Sequence, residues 1–242
     1  MSKLVSCILA TRNRPEFFRY ALRCFLSQTY QPAELIVVDD GEQPVADQCA
    51  GVERVRYLRL PQPAPLGAKL NLGIEQAQGG ILQKLDDDDY YHPGFLQLAV
   101  EHLPRDRPDR SLAAWDSFLV LLPGEKQVRH SGCGWAAGGT LCFDRRLWQR
   151  RRFRNLPCSV DHWFLLDHRP DVVLVDAPEY YLLVRHGANT WSKMDDGGRV
   201  DDYFRGLPVY PKPLHALVGP LHCAFYESLA RASPRQLVSP LT

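Results

Sequence analysis

No charge of one sign predominates in this chain of 242 residues: 29 Lys and Arg stand against 28 Asp and Glu, a net charge of +1. A field that weak gives no argument for DNA, RNA or an anionic membrane as the main partner, so any such claim has to rest on a local cluster. Long hydrophobic runs are missing too. No segment approaches the roughly 18 apolar residues needed to cross a bilayer, and Met1-Ser2-Lys3-Leu4-Val5-Ser6 has no apolar stretch before a small-residue cleavage site, which leads to an expected cytoplasmic location. The seven cysteines (Cys7, Cys24, Cys49, Cys133, Cys142, Cys158, Cys223) contain no CxxC pair, and their odd number and wide spacing predict reduced, mostly structural thiols rather than a disulfide framework or a zinc site. Internal repeats and low-complexity tails are absent. So is a glycine-rich phosphate loop: Ala10-Thr11-Arg12-Asn13-Arg14 follows the first strand, which argues against a nucleotidyltransferase.

What is present is a globular composition, 45% hydrophobic and 24% charged, long enough for one large α/β domain. Short β-branched or apolar runs alternate with amphipathic stretches over the first hundred residues, the pattern of βα units on a largely parallel sheet. Strands are predicted at 4–10, 35–38, 54–60 and 81–85. Helices are predicted after Pro15, with Phe17, Ala21, Leu22 and Phe25 on one face, then at 67–77, and again from Pro93. The second half is less regular: strands at 113–122, 140–143, 172–175 and 180–184, a glycine-rich loop at 132–139, helices capped at Asp144 and near Ser159, and a closing helix at 214–230.

Asp86-Asp87-Asp88-Asp89 stand at the carboxyl end of the fourth strand, where ligands bind in open α/β sheets. Four adjacent carboxylates repel unless a cation or a set of donors compensates them, so the run points to a metal; the alternative is a solvated acidic turn.

Taken with its surroundings, the run carries a resemblance. Leu66-Gly67-Ala68-Lys69-Leu70-Asn71-Leu72-Gly73-Ile74, Gly79-Gly80-Ile81-Leu82-Gln83-Lys84-Leu85 before the aspartates, and Pro93-Gly94-Phe95-Leu96 after them resemble the family 2, inverting glycosyltransferases of the GT-A fold. So do Val5-Ser6-Cys7-Ile8-Leu9-Ala10-Thr11-Arg12-Asn13-Arg14, Ser27-Gln28-Thr29-Tyr30 and Glu34-Leu35-Ile36-Val37-Val38-Asp39-Asp40-Gly41, and together these motifs cover most of residues 3–100. The resemblance implies a Rossmann-related mixed sheet, mostly parallel and flanked by helices, and an enzyme that moves a sugar from a nucleotide-sugar donor, by default a UDP-sugar, with Mn²⁺ or Mg²⁺. It implies that Asp39 or Asp40 meets the nucleoside beside the Thr11–Arg14 backbone, with Arg12 and Arg14 in the same pocket, and that Lys69 contacts the nucleotide. Asp86-Asp87-Asp88 would be the DxD element, Asp88 on the metal and Asp86 on the ribose or the metal's water shell.

Further along, Ser159-Val160-Asp161-His162-Trp163-Phe164 resembles the segment where relatives carry an acidic pair before a helix, the second acid serving as catalytic base; Asp161 matches that position and Val160 departs from the first. An inverting transfer needs a carboxylate to take the acceptor proton, and Asp161 at a helix start suits that task. Leu183-Val184-Arg185-His186 resembles the late segment whose His completes the metal sphere or touches the diphosphate. Each of these residues also has a plain structural reading, as a helix cap, a turn or a solvated charge.

Arg145, Arg146, Arg150, Arg151, Arg152 and Arg154 form the strongest basic cluster, read as a solvated face or as a site for an anionic acceptor or a membrane surface. The acceptor itself is open: a glycan, a lipid-linked sugar, a peptide or a nucleic acid, with peripheral membrane contact compatible. The expected layout is a nucleotide-sugar part at 1–100, an acceptor part at 101–205, and a C-terminal extension at 206–242. The competing reading is a catalytically silent nucleotide- or glycan-binding module, for which Val160 and the arginine cluster speak.

Overall fold

The computed structural model describes residues 2–104, 106–122, 124–125, 127–134, 136–186, 189–192 and 197–229. In chain order the elements are β1 (Val5–Thr11), α1 (Pro15–Leu26), β2 (Ala33–Asp39), α2 (Ala46–Cys49), β3 (Val55–Arg59), α3 (Leu66–Gln76), β4 (Ile81–Leu85), β5 (Tyr90–Tyr91) and α4 (Phe95–Glu101). There follow β6 (Leu112–Ser117), β7 (Leu119–Leu121), β8 (Val128–His130), β9 (Cys142–Asp144), α5 (Arg145–Arg150), α6 (Val160–Asp167), β10 (Val172–Asp176), β11 (Tyr181–Val184), α7 (Val200–Arg205), α8 (Leu214–Leu217) and α9 (Pro220–Leu229).

Seven strands form one sheet in the order β10-β6-β9-β4-β1-β2-β3, parallel at every pairing except those of β9, which runs antiparallel between β4 and β6. The α/β class with a mixed, mostly parallel sheet is therefore as expected. Helices cover both faces, which is why β1 and β2 read as unbroken apolar runs. Val5, Cys7, Leu9, Leu35 and Val37 point into a core shared with α1, α4 and α9, while Ile8, Ile36 and Leu82 point the other way against α3, α5 and α6. A second sheet, β5-β11-β7-β8, packs into the first of these cores.

The predicted strand at 113–122 is two strands in two sheets. Trp115 pairs with Val175 and Ser117 with Asp176, so Asp116 bulges out of the ladder and bends the chain. Phe118 then leaves the first sheet: its amide donates to Ser131 Oγ and its carbonyl accepts from the Ser131 amide, both at 2.9 Å. Continuous apolarity hid the break because Phe118 is as buried as its neighbours. In place of a strand at 140–143, Gly138–Thr140 make a 3₁₀ turn and β9 begins at Cys142. Trp135, in the glycine-rich loop, lies outside the described residues.

Asp144 caps α5 by accepting from the Arg146 amide at 2.9 Å, but Ser159 does not cap α6: it sits at φ 56° and its hydroxyl makes no capping bond. The closing helix is interrupted. Val218 is extended and Pro220, which has no N–H to donate, restarts the chain as α9; Ala230 lies outside the described residues. Tyr20 of α1 stacks on Phe225 of α9 with centroids 3.9 Å apart, and Phe225 meets Phe17 edge-on at 5.4 Å. The short elements α2, α7, β5 and β8, of six residues or fewer, carry too few positions to show a period.

The arginine cluster is dispersed by pairing. Arg146 meets Asp144, Arg150 meets Asp171, Arg151 and Arg154 share Asp167, and Arg152 meets Glu75. These carboxylates offset the positive field that a polyanion or anionic membrane would need. Arg145 is different, since its guanidinium donates to Ile74 O at 2.9 Å, Ala77 O at 2.7 Å and Gly79 O at 2.9 Å, closing the open carbonyls at the end of α3. Replacing Arg145 by Met is expected to lower unfolding free energy by about 2 kcal/mol, read from urea denaturation. Arg152→Ala, which removes an exposed pair with Glu75 and a cation–π contact 4.5 Å over Trp148, should cost only about 1 kcal/mol.

Candidate functional site

A cleft of about 1220 Å³ opens at the carboxyl ends of β1 and β4 and runs across to the start of α6. Of the residues singled out from sequence, Thr11, Arg12, Arg14, Asp40, Lys69, Asp86, Asp87, Asp88 and Asp161 line it. Parallel pairing of β1 with β4, Leu9 opposite Leu85, brings the segment after β1 alongside the aspartates.

Each of the four carboxylates is held differently. Asp87 accepts from Thr11 Oγ1 at 2.7 Å and from Arg14 at 2.9 Å. Asp88 Oδ2 accepts from Arg14 at 3.0 Å and from Asn189 Nδ2 at 3.2 Å, and lies 2.9 Å from His186 Nε2. Asp89 accepts from the Tyr181 hydroxyl and from the Val184 amide at 2.9 Å. Asp86 remains 31% exposed toward the cleft, and the Lys84 ammonium donates to both of its oxygens, at 2.6 and 2.8 Å.

Electrostatics separate them further. Burial raises the Asp86, Asp87 and Asp89 carboxyls, and for Asp89 the charges of Asp88 and Asp86 push the same way. For Asp88 burial also pushes upward, but the Arg14 charge and the His186 hydrogen bond prevail and hold it well below the usual carboxylate range. Lys84 is raised despite its burial, by the charges of Asp86 and Asp161.

Asp39 and Asp40 part company. Asp39 is fully buried, with both oxygens taken inside the fold by the Gly41 and Val45 amides and the Tyr57 hydroxyl. Asp40 stays on the cleft wall, tied to Lys69 Nζ at 2.7 Å and to the Ala64 amide at 2.8 Å. His186 is buried behind Asp88, its ring tilted against Phe17 with centroids 4.4 Å apart, and its Nδ1 has no hydrogen-bond partner among the described residues. Arg12 is exposed on the cleft with no carboxylate partner among the described residues.

Asp161 stands at the first turn of α6, opposite the aspartates. Close approach there requires glycine: a Cβ at Gly138 would overlap Asp161 Oδ2, and one at Gly139 would strike the Tyr181 hydroxyl and come within 2.9 Å of Asp86 Oδ2. Lys84, Asn189 and Tyr181 were missed as functional residues. Lys84 left a signal: in a strand of period two, a lysine two places before Asp86 shares its side of the sheet. Asn189 and Tyr181 left none, since they arrive from a distant strand and its following loop.

Arg14 neutralises Asp87 and Asp88 together. Its loss leaves two buried negative charges without their partner, so Arg14→Gln is expected to cost about 3 kcal/mol at pH 7. Asp88 binds its proton less tightly folded than unfolded, so its contribution is complete above pH ~4 and is lost as pH falls through the lower folded value. The penalty of Arg14→Gln should therefore shrink on acidification below pH ~4, measured by denaturation at pH 7, 5 and 3.

Similarity to known proteins places the chain in a family. The family model described as Glycosyl transferase family 2 matches residues 6–171. A hyaluronan synthase of Pasteurella multocida is 30% identical over 175 residues, covering 64% of this chain and 18% of the relative. A UDP-Gal:alpha-D-GlcNAc-diphosphoundecaprenol beta-1,3-galactosyltransferase of Escherichia coli is 23% identical over 122 residues, 48% of this chain and 44% of the relative. The chain thus spans less than half the length of these curated relatives. Among solved structures, residues 1–349 of S. aureus TarS in complex with UDP superpose with TM-score 0.55 at 17% identity, over 75% of this chain and 60% of that one. The mannosyltransferase PcManGT of Pyrobaculum calidifontis, in complex with GDP-Man and Mn²⁺, superposes with TM-score 0.59 at 15% identity, over 98% and 76%. Among the described residues no helix is long and apolar enough to cross a membrane. With the family matched over more than half its length and the GT-A-like sheet in place, the chain belongs to glycosyl transferase family 2.

Proposed function

We propose that this chain transfers a sugar, with inversion, from a nucleotide sugar, by preference a UDP-sugar, to an acceptor hydroxyl in the cleft between β4 and α6. The observation that carries the reading is the placement of Asp161 on the far wall of the cleft that holds Asp86, Asp87 and Asp88, with Gly138 and Gly139 cut back to admit both sides. A UDP-bound neighbour of the same fold and a second with GDP-Man and Mn²⁺ support a nucleotide-sugar donor and a divalent cation. In this layout residues 1–100 supply the donor side, 101–205 the acceptor side, and 206–242 an extension, and the enzyme works in the cytoplasm.

The residues fit Mn²⁺ or Mg²⁺ as an ion completed by its substrate. Asp88, on the cleft, is a carboxylate of the kind both ions accept, and His186, whose Nε2 lies 2.9 Å behind it, would join as an imidazole ligand to Mn²⁺ on giving up that contact. Among the described residues no three His, Cys, Asp or Glu side chains form a ready cage, so donor phosphate oxygens would supply the rest. Bound there, the ion offsets the charge that develops on the leaving diphosphate.

The chain's own groups do the remainder. Lys69, Asp40 and Thr11 shape the base and ribose end, and Arg12, exposed at the cleft, meets phosphate. Asp161 takes the proton from the acceptor oxygen as that oxygen attacks C1 opposite the departing diphosphate. Asp89, held by Tyr181 and Val184, ties the aspartate turn to β11.

Thermal-shift screening against UDP-, GDP-, dTDP- and CMP-sugars with and without Mn²⁺ should raise the unfolding temperature for one donor, by an amount that grows with the logarithm of its concentration. Asp88→Ala should remove that shift; equal shifts in both proteins, or none, would sink the donor assignment. Asp161→Asn is expected to lower kcat by about 10²- to 10⁴-fold with donor KM changed by less than about threefold. Donor binding without turnover by any acceptor extract, and no effect of Asp161→Asn, would make the chain a binding module instead.

A further inference from the structure

Lys84 has no part in the reaction as set out above, and its position is costly. It is the fourth of the five residues of β4, with its side chain 3% exposed. Burying an ammonium group is unfavourable, and an apolar side chain of similar length would fill the same space without that cost. The charge therefore needs a reason.

Three carboxylates face it. Its ammonium donates to both oxygens of Asp86, at 2.6 and 2.8 Å, while Asp161 from α6 and Asp89 from the aspartate turn act on it by charge. The first two are brought near one another by the glycine pair, since Asp161 rests on Gly138 and Asp86 beside Gly139. An acid of the donor side and an acid of the acceptor side thus abut neighbouring residues of one small turn. Like charges brought to one turn repel unless a cation offsets them.

We infer that Lys84 is a positioning residue whose ammonium clamps Asp86 and offsets Asp161, holding the donor-side and acceptor-side acids together across the cleft. Lys84 does at Asp86 what a metal does in a cage of carboxylates, so the divalent ion is left to Asp88 and His186, and Asp86 faces the donor as a hydrogen-bond acceptor. This rests on the sugar-transfer reading for the role of Asp161, though not for the pairing of Lys84 with Asp86.

The test is a double-mutant cycle of Lys84→Met and Asp86→Asn, read both by thermal unfolding without ligand and by steady-state kinetics. Lys84→Met should lower the unfolding temperature by about 10 °C and kcat by about 100-fold, a loss typical of a misplaced catalytic group, with donor KM within about threefold of wild type. Adding Asp86→Asn removes the orphaned charge, and should recover at least half of the lost unfolding temperature and leave the double variant no slower than Asp86→Asn alone. A cycle in which the two losses simply add, or a Lys84→Met protein with unchanged kcat, overturns the inference and makes Lys84 a packing residue. If wild type neither binds nor turns over any nucleotide sugar, the proposed function falls, while the unfolding cycle still decides whether Lys84 and Asp86 act as a pair.

Discussion

Mutual repulsion among four neighbouring carboxylates is the constraint around which this structure is arranged. Asp87 and Asp89 are almost fully buried and Asp88 nearly so, a placement that costs free energy unless each charge is met by a donor. The fold supplies those donors from every direction: Arg14 and Thr11 from the segment after β1, Lys84 from β4 itself, His186 and Asn189 from beyond β11, and Tyr181 from within it. The aspartate turn is thus where the two sheets and α1 are electrically joined.

That junction explains features that otherwise look unrelated. The bulge at Asp116 and the departure of Phe118 from the first sheet create the second sheet, and the second sheet carries Tyr181 and Val184 to Asp89. The antiparallel strand β9, preceded by the Gly138–Thr140 turn, sets the two glycines beside β4. Helix α9 reaches the site indirectly, through Phe225 on Phe17 and Phe17 on His186. Such a chain of packed rings holds the imidazole against Asp88.

The regular half of the fold was legible because its signals are local. Apolar runs at β1, β2 and β4, the helical face of Phe17, Ala21, Leu22 and Phe25, and the proline at the start of α1 each depend on residues within one element. The division of 113–122 between two sheets was not, because the bend is set by the Asp116 bulge and by Ser131, thirteen residues beyond Phe118. The break between α8 and α9 was readable in principle at Gly219-Pro220 and passed over in favour of a continuous apolar pattern. The arginine cluster left both a solvated face and an anionic partner open, because Asp167, Asp171 and Glu75 approach it only in three dimensions.

By itself the sequence determined the class of fold, the family, and the short list of side chains at the strand ends, since motif spacing and alternation are properties of contiguous residues. Only the tertiary structure decided how those side chains divide the work. It sent Asp39 inward and left Asp40 on the cleft, set Asp88 apart from its neighbours by giving it Arg14 and His186, turned Asp89 toward the second sheet, and placed Lys84 against Asp86. The reason is physical: the behaviour of a carboxylate depends on burial and on charges within a few ångströms, and in this chain most of those charges come from residues far away in sequence.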